Sequence, residues 1–180
     1  MYKRQDFFNV GHTSTSVSLA SGLAKARDLL QKKENIIAVI GDGSLSGGEA
    51  LEGLDFAAEL QSNFIIIVND NEMSIAENHG GLYQNLKALR ESNGICSNNL
   101  FKAMGLDYIY QECGNDIAAM IETLQKVKDI DHPIVVHIHT KKGKGYKVAE
   151  ENKEDWHYCA PFEKKAVSSF HITKKKIMKY

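Results

Sequence analysis

The chain has 180 residues, a formal net charge of −1, 43% hydrophobic and 25% charged residues, and only two prolines. That length and apolar content suit one folded domain with a real core and exclude a disordered or low-complexity chain. The balanced charge offers no basis for nucleic-acid binding, and no apolar run reaches membrane-spanning length. Met1 to Asp6 also lacks a signal-peptide core, so a cytoplasmic protein is expected.

Phe7-Phe8-Asn9-Val10 leads into Gly11-His12-Thr13 and a run of hydroxyl residues that offers several helix caps. Val17, Leu19, Ala20, Leu23, Ala24, Ala26, Leu29 and Leu30 then recur at helical spacing. The small residues Ser18, Ala20, Ser21, Gly22 and Ala24 imply that this helix approaches a neighbour closely. A Gly-His-hydroxyl turn at a helix start presents N–H groups and an imidazole to an anion or a polar ring. An ordinary capped helix start is the plain alternative.

Ile36 to Ile40 is a β-branched run, predicted as a strand buried on both faces, and it ends in Gly41-Asp42-Gly43-Ser44. Glycines there let the backbone turn sharply and approach a ligand. Ser44 to Leu60 reads as a loop and a helix with Ala50, Leu51, Leu54, Ala57, Ala58 and Leu60 on its apolar face. Phe64 to Val68 is a second buried strand, ending in Asn69-Asp70-Asn71. In a parallel sheet both strand ends lie on one edge, so Asp42 and Asn71 are expected to face each other across a crevice. A carboxylate and an amide, both hard oxygen donors beside a helix start, suit Mg²⁺ and the phosphates it bridges. Gly-Asp-Gly alone is a common turn and Asn-Asp-Asn a common strand exit. Their pairing across one helix, with 29 positions from Asp42 to Asn71, carries the signal.

Residues 76–95 read as a loop and a helix carrying Leu82, Leu86 and Leu89, and Cys96 to Met104 as a short helix stopped by Gly105. Leu106 to Tyr110 is a strand. Asn115 is expected to cap a helix with Ile117, Met120, Ile121, Leu124 and Val127 inside, and Ile134 to Thr140 is the last strand. His137 and His139 share a face of that strand, but no third metal ligand stands at a recognisable spacing. Cys96, Cys113 and Cys159 are isolated and indicate neither a disulfide framework nor a zinc site. Lys141 to Tyr146 is a basic, glycine-rich turn whose spacing is not that of a P-loop. The fold class is therefore α/β, three-layer, with a mostly parallel sheet and helices on both faces. Residues 1–162 are expected to form the domain, and 163–180 a basic tail or linker.

GDG followed by NDN at this interval resembles the diphosphate- and metal-binding motif of the thiamine-diphosphate enzymes of the transketolase group. The words GDGSLSGGEALEGLDFAAEL, NDNEMSI and TKKGKGY, with GHTSTS beginning 30 positions before Gly41, look most like the 1-deoxy-D-xylulose-5-phosphate synthase family. AE after that last word, then WH and PF up to Phe162, extend the likeness. The resemblance implies that Asp42 and Asn71 hold Mg²⁺ by their side chains and Met73 by its backbone carbonyl. It implies that Gly11, His12, Thr13, Asp42, Gly43, Ser44, Asn71 and Tyr146 bind thiamine diphosphate. The reaction implied joins pyruvate and glyceraldehyde 3-phosphate with loss of CO₂, in isoprenoid and thiamine biosynthesis. The resemblance covers the diphosphate-binding part alone, without the family's N-terminal stretch or its pyrimidine-binding domain. The chain is therefore expected to be inactive without a pyrimidine-binding domain or subunit, and to form homo- or hetero-oligomers. A subunit of a split transketolase acting on sugar phosphates, and a non-catalytic binding domain of the same fold, are the alternatives.

Overall fold

A computed structural model describes residues 7–158. The chain divides into two units, Met1–Lys142 and Gly143–Tyr180. Pro161, Phe162 and the expected tail at 163–180 lie outside the described residues, as does the domain boundary placed there.

In the first unit four strands form one parallel sheet. These are β1 (Ile37–Gly41), β2 (Phe64–Asp70), β3 (Asp107–Gln111) and β4 (Pro133–His139), in the spatial order β1-β2-β4-β3. The order explains where the helices go. The chain steps from β1 to β2 and on to β3 in one direction, then reverses to reach β4. Parallel crossovers are right-handed, so the reversal puts the last helix on the opposite face.

Accordingly α1 (Ser16–Leu29), α3 (Gly48–Ala58), α4 (Gly81–Glu91) and α5 (Leu100–Ala103) all contribute to one core. Val17, Ala20, Ala24, Leu54, Ala57, Leu86, Leu89 and Phe101 pack there on Ala38, Ile40, Phe64, Ile66, Val68 and Val135. The other face is served by α6 (Ile117–Val127), whose Val127, Met120 and Leu124 pack with Ile65, Ile134, Val136 and Ile138. Each such aliphatic side chain, fully buried, contributes about 2 kcal/mol of transfer free energy.

Among the described residues α6 is the helix on this face, and one helix does not cover four strands. β1 is therefore buried on one side only, with Ile37 and Val39 exposed by 50% and 59%, against the expectation of a strand buried on both faces. Ile117 and Ile121, expected inside, are exposed on α6. That helix is capped by Asp116, whose side chain accepts from Ala119 N–H at 3.0 Å, while Asn115 accepts from Lys141 N–H. The predicted 96–104 helix shrinks to the single turn α5, because the Asn99 side chain caps it by accepting from Phe101 and Lys102 N–H.

Helix α1 also departs from its apolar stripe. Leu29 and Leu30 are exposed, Leu51 of α3 is also exposed, and the buried face of α1 is Val17, Ala20, Ser21, Ala24 and Arg27. The Arg27 guanidinium donates to the carbonyls of Glu34 (2.9 Å) and Asn63 (2.6 Å) and to Ser62 Oγ, tying the helix end to the loops that precede β1 and β2. The expected close approach is present. Ser18 Oγ donates to Glu49 O at 2.7 Å and Ser21 Oγ to Gly53 O at 3.3 Å. A Cβ on Gly53 would lie 2.7 Å from Ser18 N, so only glycine admits this contact.

In the second unit, α7 (Lys147–Glu151) follows a turn in which Gly145 N–H donates to Glu150 Oε1 at 2.8 Å. Tyr146 and Trp156 meet edge to face with ring centroids 5.2 Å apart.

Candidate functional site

The C-terminal ends of β1 and β2 carry the predicted site. β1 runs directly into a single helical turn, α2 (Asp42–Leu45), so Asp42 leaves the sheet at its first residue and is buried. The register pairs Gly41 with Asn69, which puts Asp70 level with Asp42 and Asn71 one residue further along. The nearest acidic neighbour of Asp42 is therefore Asp70, a residue the sequence reading passed over. Burial first, and then the Asp70 charge, push the Asp42 carboxyl up to about 6. Asp70 moves the other way. Burial alone would raise it, but the hydrogen bond to His137 and the Arg90 and His137 charges hold it well below the usual carboxylate range.

Asn71 is the telling residue. Its side-chain oxygen Oδ1 is buried with no hydrogen-bond partner, at a position where a polar atom ordinarily has one. The following residue, Glu72, has a left-handed backbone (φ +68°), and its N–H donates to Asp70 Oδ1 at 3.0 Å. Met73 is buried and bridges to Glu77, folding residues 73–77 back on themselves.

That fold-back brings two motifs into contact. A Cβ on Gly43 would lie 2.5 Å from Ser74 Cβ, so the second glycine of GDG makes room for the NDN loop. A Cβ on Gly41, by contrast, would meet nothing within 4 Å. Lys142 Nζ donates to Ser74 O at 2.8 Å, and Asn78 Nδ2 donates to Asp42 Oδ2 at 2.8 Å. Asn78 was missed by the sequence reading. Its only signal was an amide seven positions after Asn71, within the loop of a metal motif.

The Gly11-His12-Thr13 segment is exposed and is tied to the same edge by the next residue. Ser14, at φ +72°, donates from Oγ to Ser44 O at 2.7 Å, and a Cβ on Gly47 would lie 2.1 Å from the Ser14 Oγ. So Ser44 carries the junction between GHTSTS and GDGS, and the expected capping hydroxyl is used across the junction and not on α1. Tyr146 belongs to the second unit, where Trp156 is its ring partner.

Behind this edge lies a polar chain. His137, fully buried, has Nε2 2.9 Å from Asp70 Oδ2 and Nδ1 2.8 Å from the Tyr108 hydroxyl. An ionised carboxylate only accepts, so Nε2 carries the proton. Arg90 Nη1 also donates to Asp70 Oδ2, and Nη2 lies 3.7 Å from Glu72. His139 sits between Glu72 (3.0 Å) and Glu112 (3.1 Å). His137 and His139 thus bind carboxylates, not a shared metal, and among the described residues no group of three His, Cys, Asp or Glu side chains could hold an ion.

The donors that remain at these strand ends are one carboxylate (Asp42) and one orphaned amide oxygen (Asn71). That is a hard oxygen set, short of six, of the kind Mg²⁺ occupies with phosphate and water oxygens completing its shell. Two neighbouring buried carboxylates, Asp42 and Asp70, with the one Arg90 guanidinium also leave these strand ends electronegative, which favours a cation. The residues present fit a diphosphate-bound divalent ion.

The family model described as 1-deoxy-D-xylulose-5-phosphate synthase matches residues 3–98 and 93–140. A 1-deoxy-D-xylulose-5-phosphate synthase of Clostridium beijerinckii is 39% identical over 194 aligned residues, which cover 88% of this chain and 31% of the relative. A synthase of Geobacter metallireducens is similar to the same degree, 39% over 194 residues with the same coverage. Among solved structures, transketolase from Leishmania mexicana superposes with a TM-score of 0.57 at 20% identity, covering 75% of this chain and 21% of that one. A transketolase variant from Pichia stipitis gives 0.55 at 21% identity, covering 76% and 21%. These last two establish a shared fold. The chain spans about a third of the length of the curated relatives it matches. It belongs to the 1-deoxy-D-xylulose-5-phosphate synthase family.

Proposed function

We propose that this chain is the part of a thiamine-diphosphate enzyme that binds the cofactor's diphosphate and its Mg²⁺, in a reaction of the 1-deoxy-D-xylulose-5-phosphate synthase type. Asp42 and Asn71 would hold the ion by their side chains and Met73 by its carbonyl. Gly11, His12, Thr13, Gly43 and Ser44 would contact the cofactor. When bound, thiamine diphosphate supplies an electron sink for breaking and forming bonds next to a carbonyl. The chain's own residues neutralise and orient the diphosphate.

One observation carries the reading. Asn71 Oδ1 is buried without a partner at the same sheet edge where Asp42 is buried with a raised pKa. Both costs are removed by a cation between them. The pyrimidine half of the cofactor, the pyruvate and the sugar phosphate would be met by a pyrimidine-binding domain or subunit outside residues 1–180.

Calorimetric titration of thiamine diphosphate with Mg²⁺ into the chain tests this. Binding that requires Mg²⁺ and vanishes in Asp42→Ala is expected. Binding indifferent to Mg²⁺ or to Asp42 overturns it, and absence of binding even with a pyrimidine-binding domain supplied overturns it equally.

A further inference from the structure

Asp70 is more than a buried ion pair. Both of its oxygens are engaged, and from three different elements. Oδ2 receives His137 of β4 and Arg90 of α4, and Oδ1 receives the N–H of Glu72. His137 is braced in turn by the hydroxyl of Tyr108 on β3, whose ring stacks on Phe101 with centroids 5.6 Å apart. A carboxylate fixed from three elements has no freedom to turn, so whatever hangs from Oδ1 is fixed too.

What hangs there is the peptide between the two donors assigned to the metal. Glu72 separates Asn71 from Met73 and sits at φ +68°, a conformation that L side chains rarely adopt and that persists only where the surroundings enforce it. The enforcement is visible. Asp70 grips the Glu72 N–H, while Arg90 (3.7 Å) and His139 (3.0 Å) hold its carboxylate. A left-handed residue reverses the sense of the chain, so it decides where the Met73 peptide points relative to the Asn71 side chain.

We propose that Asp70, backed by His137 and Arg90, is a positioning residue that locks Glu72 left-handed and so aims Asn71 and the Met73 carbonyl at one point. The inference rests on the metal-site reading above. It adds residues that touch neither metal nor cofactor but set the geometry of those that do, a role in which substitutions cost about 10- to 100-fold in metal affinity.

The test uses Mn²⁺ as a paramagnetic stand-in for Mg²⁺, with thiamine diphosphate, on the 180-residue chain. Affinity and electron paramagnetic resonance line shape are read beside thermal stability. Glu72→Gly suits φ +68° without strain, so its unfolding midpoint should hold or rise while Mn²⁺ affinity falls about tenfold. Asp70→Asn keeps the shape of the side chain, and it should weaken Mn²⁺ by about tenfold or more and alter the line shape. Opposite movement of stability and affinity in Glu72→Gly is a result that a purely structural role would not give. Wild-type affinity in Asp70→Asn overturns the inference, as does a loss in Glu72→Gly that tracks lost stability. Those results leave the parent reading intact, provided Asp42→Ala still abolishes binding. Should the unsubstituted chain not bind, or Asp42→Ala bind normally, the parent reading fails and the inference with it.

Discussion

The side-chain amide of Asn78 donates to Asp42 Oδ2 at 2.8 Å, 36 positions away along the chain, and so holds one of the two carboxylate oxygens of the proposed metal ligand. A hydrogen bond to an ionised acceptor is worth about 1.5–3 kcal/mol, more than one to a neutral group. Asn78→Ala should therefore destabilise the metal-free chain by about 1.5 kcal/mol at pH 7.5 and by less at pH 5, where Asp42 is protonated. Urea unfolding at the two pH values checks this. Equal losses would show that the amide does not serve the charge.

The raised Asp42 pKa fixes the sign of a pH effect. Its folded value of about 6 lies above the ordinary 3.8, so the folded chain binds the extra proton between those values. The ionised carboxylate is thus a cost, fully present above pH 6 and relieved as pH falls toward 4, amounting to about 3 kcal/mol. Asp70 has the reverse sign, contributing stability above its ordinary value that is lost as pH falls below it. The comparison that isolates Asp42 is Asp42→Asn, which should be the more stable protein at pH 7.5 by up to about 3 kcal/mol, with the difference gone by pH 4. Denaturant titrations across that window decide it.

Metal binding should run opposite to this. Protons and Mg²⁺ compete for Asp42, so Mg²⁺ affinity with thiamine diphosphate should be flat above pH 7 and fall below about 6, approaching tenfold per pH unit. Calorimetry in buffers of different ionisation enthalpy should show proton release on binding near pH 6 and almost none at pH 8. Release that is the same at both pH values would mean that Asp42 does not meet the ion.

The serine–glycine contact of α1 with α3 gives a stability prediction remote from the metal. Gly53→Ala places a methyl 2.7 Å from Ser18 N and 2.8 Å from its Oγ, forcing the helices apart at a cost of about 1–3 kcal/mol. Gly48→Ala, in open space at the start of α3, should be neutral or stabilising by up to about 1 kcal/mol. Thermal melts should show a lowered midpoint for Gly53→Ala and an equal or higher one for Gly48→Ala.

The uncovered side of the sheet bears on solubility. Ile37 and Val39 on β1 and Ile117 and Ile121 on α6 are exposed aliphatics. Val39→Lys with Ile121→Lys should raise the concentration at which the chain precipitates, with no loss of fold by circular dichroism. An unchanged threshold would mean that these side chains do not drive association.

Much of this architecture was readable because the strands announce themselves. Phe64 to Val68 and Ile134 to Val136 are unbroken apolar runs, and Leu86 and Leu89 lie one helical turn apart. Where the reading failed, the missing information was tertiary. Periodicity cannot tell that, among the described residues, no helix covers this part of the sheet, so it places Ile37, Val39, Ile117 and Ile121 in the core. Nor can it tell that Ser21 and Arg27, not Leu29, form the buried side of α1.

The site divides in the same way. Asp42 and Asn71 stood out because each ends a strand. Asp70 did not, because its partner His137 is 67 positions away on another strand. A signal was nonetheless present. A charged residue and a histidine embedded in apolar strand runs, FIIIVND and PIVVHIH, both have to find polar partners indoors, and adjacent parallel strands are where they find them.

The parallel ladder between β1 and β2 has one last consequence. Asp42 and Asn71 each follow directly from a hydrogen-bonded strand, so the ladder sets where their backbones stand, with Asn71 one residue beyond the position level with Asp42 on strands about 4.8 Å apart. A gap set by such a ruler exists before any ligand arrives. At the proposed metal site little conformational freedom would be left to be lost on binding, and selectivity between a small and a large cation would belong to the sheet itself.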